Sequence, residues 1–176
     1  MEAKAKTCAF TGHRPQRLPF GFDEADKRCT RIKQALWDQI VSSIDKDGVS
    51  RFISGMAQGV DTWAAEIVLA LKEQHPSIHL ECALPCDTQT RNRSDSEVQR
   101  YKGILEMADQ VTYVQHEHTK DCYMKRDRYM VDHADMLIAV WNGTRSGTGY
   151  TVEYAQQKGV PVTVIDPGTA RRWHLD

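Results

Sequence analysis

Met136-Leu137-Ile138-Ala139-Val140-Trp141 runs directly into Asn142-Gly143-Thr144-Arg145-Ser146-Gly147-Thr148-Gly149. An unbroken apolar run of this length describes a strand buried on both faces, as in a parallel sheet covered by helices. The glycine-bearing turn then enters a segment, Thr148 to Lys158, that reads as a short helix. The unit is therefore strand, turn, helix.

Working outward, the same unit recurs along the chain. Lys6 to Gly12 is a short run ending at glycine, and Arg51 to Gly55 is another. Between them, Glu24 to Ile44 carries Ile32, Leu36, Ile40 and Ile44 at four-residue spacing, which predicts a helix. Val60, Trp63, Ala64, Ile67, Val68 and Leu71 follow the helical template until Pro76 stops it. Ile78 to Pro85 and Gln110 to Gln115 read as strands, Arg91 to Ala108 and Asp121 to His133 as helices, and Val160 to Asp166 as the last strand. This alternation predicts an α/β fold: a single Rossmann-like three-layer domain over 1–176, core about 6–167, with a mainly parallel sheet. Right-handed crossovers then place every strand-to-helix loop on one edge of the sheet, where ligands bind in such folds.

The unusual residues collect in those loops. Gly12-His13-Arg14-Pro15 follows the first strand, and Ser54-Gly55-Met56-Ala57-Gln58-Gly59-Val60-Asp61 follows the second. Pro85-Cys86-Asp87 with Arg91 and Arg93 follows the third, and Asn142 to Gly149 follows the fifth. Glycine lets backbone approach a ligand closely, and free N–H groups at a helix start favour an anion, usually phosphate. Two such turns on one edge, with Arg14 and Arg91 nearby, point to a phosphorylated small molecule of nucleotide type. The candidate binding residues are Gly12, His13, Arg14, Ser54, Gly55, Gln58, Gly59, Asp61, Arg91, Asn142, Gly143, Ser146, Gly147, Thr148 and Gly149. His13 and Arg14 offer a ring N–H and a guanidinium fork to a phosphate. Asp61 caps its helix or meets a ribose hydroxyl. Arg126 and Arg128 are either phosphate contacts or surface charge.

Composition sets limits on partners and chemistry. The 176 residues contain 23 Lys plus Arg and 24 Asp plus Glu, for a net charge of -1. That balance argues against bulk electrostatic binding to nucleic acid. No apolar run approaches the ~20 residues that span a bilayer, and the charged stretch Met1 to Lys6 has no apolar core of a secretory signal. Five irregularly spaced cysteines, Cys8, Cys29, Cys82, Cys86 and Cys122, read as reduced, mostly buried thiols of a cytoplasmic protein. Cys82 and Cys86 near His79 have no second ligand pair of matching spacing, so no metal is expected. No other cofactor is expected either. Neither G-x-x-x-x-G-K-[ST] nor a G-x-G-x-x-G after the first strand is present, which excludes a P-loop NTPase and argues against a standard dinucleotide dehydrogenase. Whether the chain forms a homo-oligomer is open, since Trp63 and Tyr154 both sit at core-like helical spacing.

Several of these stretches together carry a resemblance. They are Thr11 to Pro15, Ser54 to Asp61, Arg128 to Asp132 with Ala134 to Ile138, and Val140 to Gly143 running to Ser146 to Ala155. In this order they resemble the YpsA-like branch of the SLOG superfamily over about residues 6–167. The resemblance implies a Rossmann-like fold that binds nucleotide-derived ligands. Ser54 to Asp61 is similar to the loop of the DNA-processing protein A family, which binds single-stranded DNA, although Gln58 stands where those proteins often have arginine. Ser146 to Glu153 resembles the glycine-threonine and glutamate motif of nucleoside deoxyribosyltransferases and lonely-guy phosphoribohydrolases. That likeness implies N-glycosidic cleavage or transfer with Glu153 as the carboxylate, Asp61 or His13 assisting. The spacing from Thr148 to Glu153 is longer than in either enzyme pattern. Three functional expectations follow: a nucleotide-derivative sensor domain, an N-glycosidase or glycosyl-transfer enzyme, and a single-strand binder.

Overall fold

A computed structural model describes residues 4–175; the first part of the charged stretch at 1–6 lies outside them. Among the described residues there are seven strands and five helices, alternating as far as the sixth strand. The strands are β1 (Lys6–Gly12), β2 (Val49–Ser54), β3 (His79–Leu84), β4 (Gln110–Tyr113), β5 (Met136–Val140), β6 (Val162–Ile165) and β7 (Arg172–Leu175). The helices are α1 (Lys27–Asp45), α2 (Val60–Leu71), α3 (Asp95–Met107), α4 (Cys122–Asp132) and α5 (Gly147–Gln157). A short 3-10 turn, Pro15–Arg17, sits between β1 and α1.

The sheet order is β4-β3-β2-β1-β5-β6-β7. Every pair is parallel except β6 with β7, which is antiparallel with Val162 opposite Leu175. This is the expected α/β architecture with one addition, the terminal hairpin partner β7. Its Arg-Trp-His-Leu sequence is mostly exposed and mixes polar with apolar residues, so it lacks the continuous apolar signal by which the inner strands announce themselves.

Side chains alternate across β1. Cys8 and Phe10 enter the core under α1, α2 and α3, while Ala9 enters the second core under α4 and α5. Phe10 stacks on Phe52 of β2 in the first core, with ring centroids 5.9 Å apart. The second core is lined by small residues, Ala9, Ala83 and Ala139, which lets α4 and α5 lie close to the sheet. All five cysteines are buried free thiols.

Two helix starts are set by side-chain caps rather than by the apolar period. Asp26 accepts from the Arg28 amide, so α1 begins at Lys27, later than the expected Glu24. Ser94 caps α3, which therefore begins at Asp95 rather than Arg91 and leaves Arg91 on the loop after β3.

The connectivity positions the site. From β1 the chain winds outward through β2, β3 and β4, then returns to place β5 on the other side of β1. The loops after β1 and β5 thus diverge at a topological switch point, which opens a crevice at the carboxyl edge.

Candidate functional site

A cavity of about 390 Å³ occupies that crevice. Its walls come from the end of β1 and the turn after it (Thr11 to Arg14, Gln16, Arg17), from Ala57 and Asp61, from Arg126 and Asp127, and from Ser146 to Thr148. The two glycine corners at 54–61 and 142–149 therefore meet across one hollow, together with the tip of β1.

The corners contribute differently. At the second, Ser146 caps α5 by accepting from the Gly149 amide at 3.0 Å. The Gly147 and Thr148 amides, first and second in the helix, have no acceptor among the described residues. Gly147 lines the cavity, and a Cβ added there would meet nothing within 4 Å. Gly149 differs, because a Cβ would stand 2.8 Å from the Thr144 carbonyl. Gly143 is held at a φ of +83° by the turn itself.

At the first corner two amides are already used. Met56 N–H donates to Ser54 Oγ at 3.2 Å, and Ala57 N–H donates to the Asp61 carboxylate at 3.2 Å. Ser54 Oγ donates in turn to the Asp61 carbonyl. These bonds fold the loop on itself, and it lines the hollow with Ala57 and Asp61. Ser54 and Gly55 thus shape the wall from behind. Gly12 is likewise pressed against α2, with Val60 2.6 Å from where its Cβ would be.

Asp61 is 6% exposed, and burial pushes its carboxyl up to about 6 despite the neighbouring Arg126. Arg126 is 3% exposed. Its guanidinium donates to the Gly55 carbonyl and to Asp127 Oδ1, the latter at 2.7 Å. It is a built-in cation of the cavity wall, which resolves the sequence alternatives for Arg126 away from surface charge. Arg128 points elsewhere, donating to the Tyr150 hydroxyl at 2.7 Å. Arg14 lies with its guanidinium carbon 5.2 Å from the centroid of the Tyr123 ring and has no carboxylate partner among the described residues.

His13 is 1% exposed. Its Nε2 lies 2.9 Å from Asn142 Oδ1, which ties the tip of β1 to the tip of β5. Asn142 Oδ1 also accepts from the Thr144 amide, and the Asn142 backbone amide lies 3.3 Å from the same His13 Nε2. The Nε2 that the sequence offered to a phosphate is therefore taken up by Asn142. His13 Nδ1 is buried and has no hydrogen-bond partner among the described residues. Burial lowers the pKa of the ring, which favours the neutral form.

The remaining candidates lie outside this hollow. Gln58 and Arg91 line an adjoining cavity, and Gly59 a third one beside Pro15 and Trp63. Asn142, Gly143 and Gly149 build the corner without facing the hollow. Glu153 is exposed and borders a separate recess with Trp141, Gly143 and Arg145. The carboxylates that do face the main cavity are Asp61 and Asp127. Asp127, Gln16 and Arg17 carried no motif that would have marked them in the sequence. Among the described residues no three His, Cys, Asp or Glu side chains cluster as metal ligands, and no helix is long and apolar enough to cross a membrane.

The model of the YpsA family, described as the YspA SLOG family, matches residues 8–168. The chain belongs to this SLOG family. Among its relatives is the uncharacterized SPbeta prophage-derived protein YoqJ of Bacillus subtilis, 32% identical over 72% of this chain and 81% of that protein. A UPF0398 protein of Halalkalibacterium halodurans is 30% identical over 92% of this chain and 88% of its own. The UPF0398 protein YpsA of Bacillus subtilis is 25% identical over 91% and 92%. A solved structure concerns the single-stranded DNA binding mode of DNA processing protein A from Helicobacter pylori. It superposes with a TM-score of 0.61 at 22% identity, covering 92% of this chain and 65% of that one. At that identity the likeness is one of fold.

Proposed function

We propose that this protein binds a nucleotide-derived small molecule in the 390 Å³ cavity, as a sensor or regulatory domain. The observation that carries the reading is the open start of α5. Two amides without acceptors, Gly147 and Thr148, face a hollow that also holds Arg14 and Arg17. A helix start with free N–H groups and nearby guanidinium groups favours a phosphate. The same hollow is lined by the acceptors Asp61 and Asp127 and by the ring of His13, whose Nδ1 has no partner among the described residues. Acceptors of this kind suit sugar hydroxyls or base N–H groups. Cations and helix amides for phosphate, with acceptors for hydroxyls, form the complement of a nucleotide. The family likeness supports the same class of ligand.

Calorimetric titration with the four ribonucleoside 5′-monophosphates and with nucleotide sugars tests this reading. Saturable binding is expected for at least one of them, with Arg14→Ala weakening it about tenfold, the value of one lost charge-assisted contact. No heat from any member at millimolar concentration, in a protein that is folded by circular dichroism, contradicts the reading.

A further inference from the structure

A second cavity, of about 580 Å³, adjoins the first, and Arg14, Gln16 and Ala57 line both. Its electrostatics differ from those of its neighbour. Arg14, Arg91 and Arg93 all line it, and no carboxylate does. None of the three is ion-paired among the described residues, whereas Arg28, Arg100 and Arg126 each have carboxylate partners. In a chain of net charge -1 the acids needed to neutralise such a cluster are available, yet they are placed elsewhere. Three guanidinium groups around one hollow repel one another unless an anion joins them.

One member of the cluster is held in place. Arg93 donates to the Met56 carbonyl at 2.8 Å, and its guanidinium lies 5.2 Å from the Tyr101 ring centroid. Burial lowers its pKa, a cost to its charge that a bound anion would offset. Tyr123 lines the same cavity with the Arg14 guanidinium over its ring, beside His118 at 6.2 Å between ring centroids. Aromatic and guanidinium planes are the surfaces on which nucleobases stack.

We infer that the second cavity is a subsite for a second phosphate-bearing nucleotide unit, so that the full ligand is a dinucleotide spanning both hollows across Arg14. This rests on the binding reading above and extends it. Each hollow falls in the range of about 300–1,000 Å³ typical of small-molecule sites. The two units are joined either by a pyrophosphate bridge or by a 3′–5′ phosphodiester, chemistries that place the same kind of anion against Arg14.

The test compares three sets of probes by calorimetry on the full chain. These are 5′-monophosphates, dinucleotides of both linkages made from the same bases, and single-stranded decanucleotides. A dinucleotide of one linkage is expected to bind at least about tenfold tighter than its monophosphate. Arg91→Ala removes an exposed side chain that makes no hydrogen bond among the described residues, so its fold should be intact. It is expected to erase the dinucleotide advantage while leaving monophosphate affinity unchanged. Arg91→Lys is expected to restore part of it.

Monophosphate binding without any dinucleotide advantage, or an advantage that survives Arg91→Ala, overturns the second subsite and leaves the first reading standing. Absence of binding by every probe overturns both. Affinity that climbs from dinucleotide to decanucleotide and falls steeply with salt overturns the small-molecule subsite in favour of a nucleic-acid groove.

Discussion

A Cβ on Gly55 would stand 2.7 Å from Nη1 of Arg126, whose guanidinium donates to the Gly55 carbonyl. The end of β2 is therefore built around a charged side chain arriving from α4. Neither Gly55 nor Arg126 can be changed without disturbing the other. Gly55→Ala is expected to destabilise the protein by about 1–3 kcal/mol, the usual cost of overpacking a filled interior. Urea unfolding measures it, and an unchanged midpoint would show that Arg126 moves aside freely.

Gly147 makes the opposite prediction. Its Cβ would meet open space, and its φ does not require glycine. Gly147→Ala should leave stability within about 0.5 kcal/mol, as for a substitution that touches nothing. Nucleotide binding should weaken, because the added methyl group occupies the space above the helix start. Thermal unfolding and calorimetry on the same variant separate the two effects. A variant that binds normally would place the ligand away from α5.

Stability should respond to pH through Asp61. Its folded pKa is about 6, above the ordinary carboxylate value of 3.8. Between these values the folded state binds more protons than the unfolded state, so stability falls as pH rises from about 4 to about 6. The effect is on the order of 3 kcal/mol. Asp61→Asn keeps an acceptor for the Ala57 amide and removes the charge. It should flatten the profile in that window and stabilise the protein at neutral pH. Denaturant titrations at several pH values check this.

Arg100 links three carboxylates from separate segments: Glu24 at 2.6 Å, Glu66 at 2.5 Å and Glu97 at 3.3 Å. Its guanidinium holds the Glu24 carboxyl down at about 2. Glu24 therefore contributes stability above the ordinary carboxylate pKa that is lost as pH falls toward 2. Arg100→Met should cost about 1–2 kcal/mol at pH 7, a moderate value because the network is partly exposed. The difference from wild type should shrink below about pH 3. A deficit that persists in acid would trace the loss to packing instead.

The fold was legible because its decisive signals are local. The apolar run 136–141 and the four-residue ladder from Ile32 to Ile44 needed no tertiary context. β7 was not legible, since Arg172 to Leu175 owes its conformation to pairing with β6 rather than to an apolar pattern. The positions of the glycine corners were legible, but the roles of their residues were not. Ser54 to Asp61 reads as an anion loop until the Met56 and Ala57 amides are seen bonded to Ser54 and Asp61 themselves. His13 reads as a phosphate ligand until Asn142, 129 residues away, occupies its Nε2. Asp127 and Arg17 carry no local motif, and only the crossover connections bring them to the hollow.

The most direct test of the central claim is a residue-resolved amide NMR titration with a nucleotide that binds. Phosphate seated at the start of α5 predicts large, saturable shifts for the Gly147 and Thr148 amides. The Met56 and Ala57 amides, already bonded within their own loop, should move little. Shifts concentrated at residues 54–61, with Gly147 and Thr148 unmoved, would contradict the account.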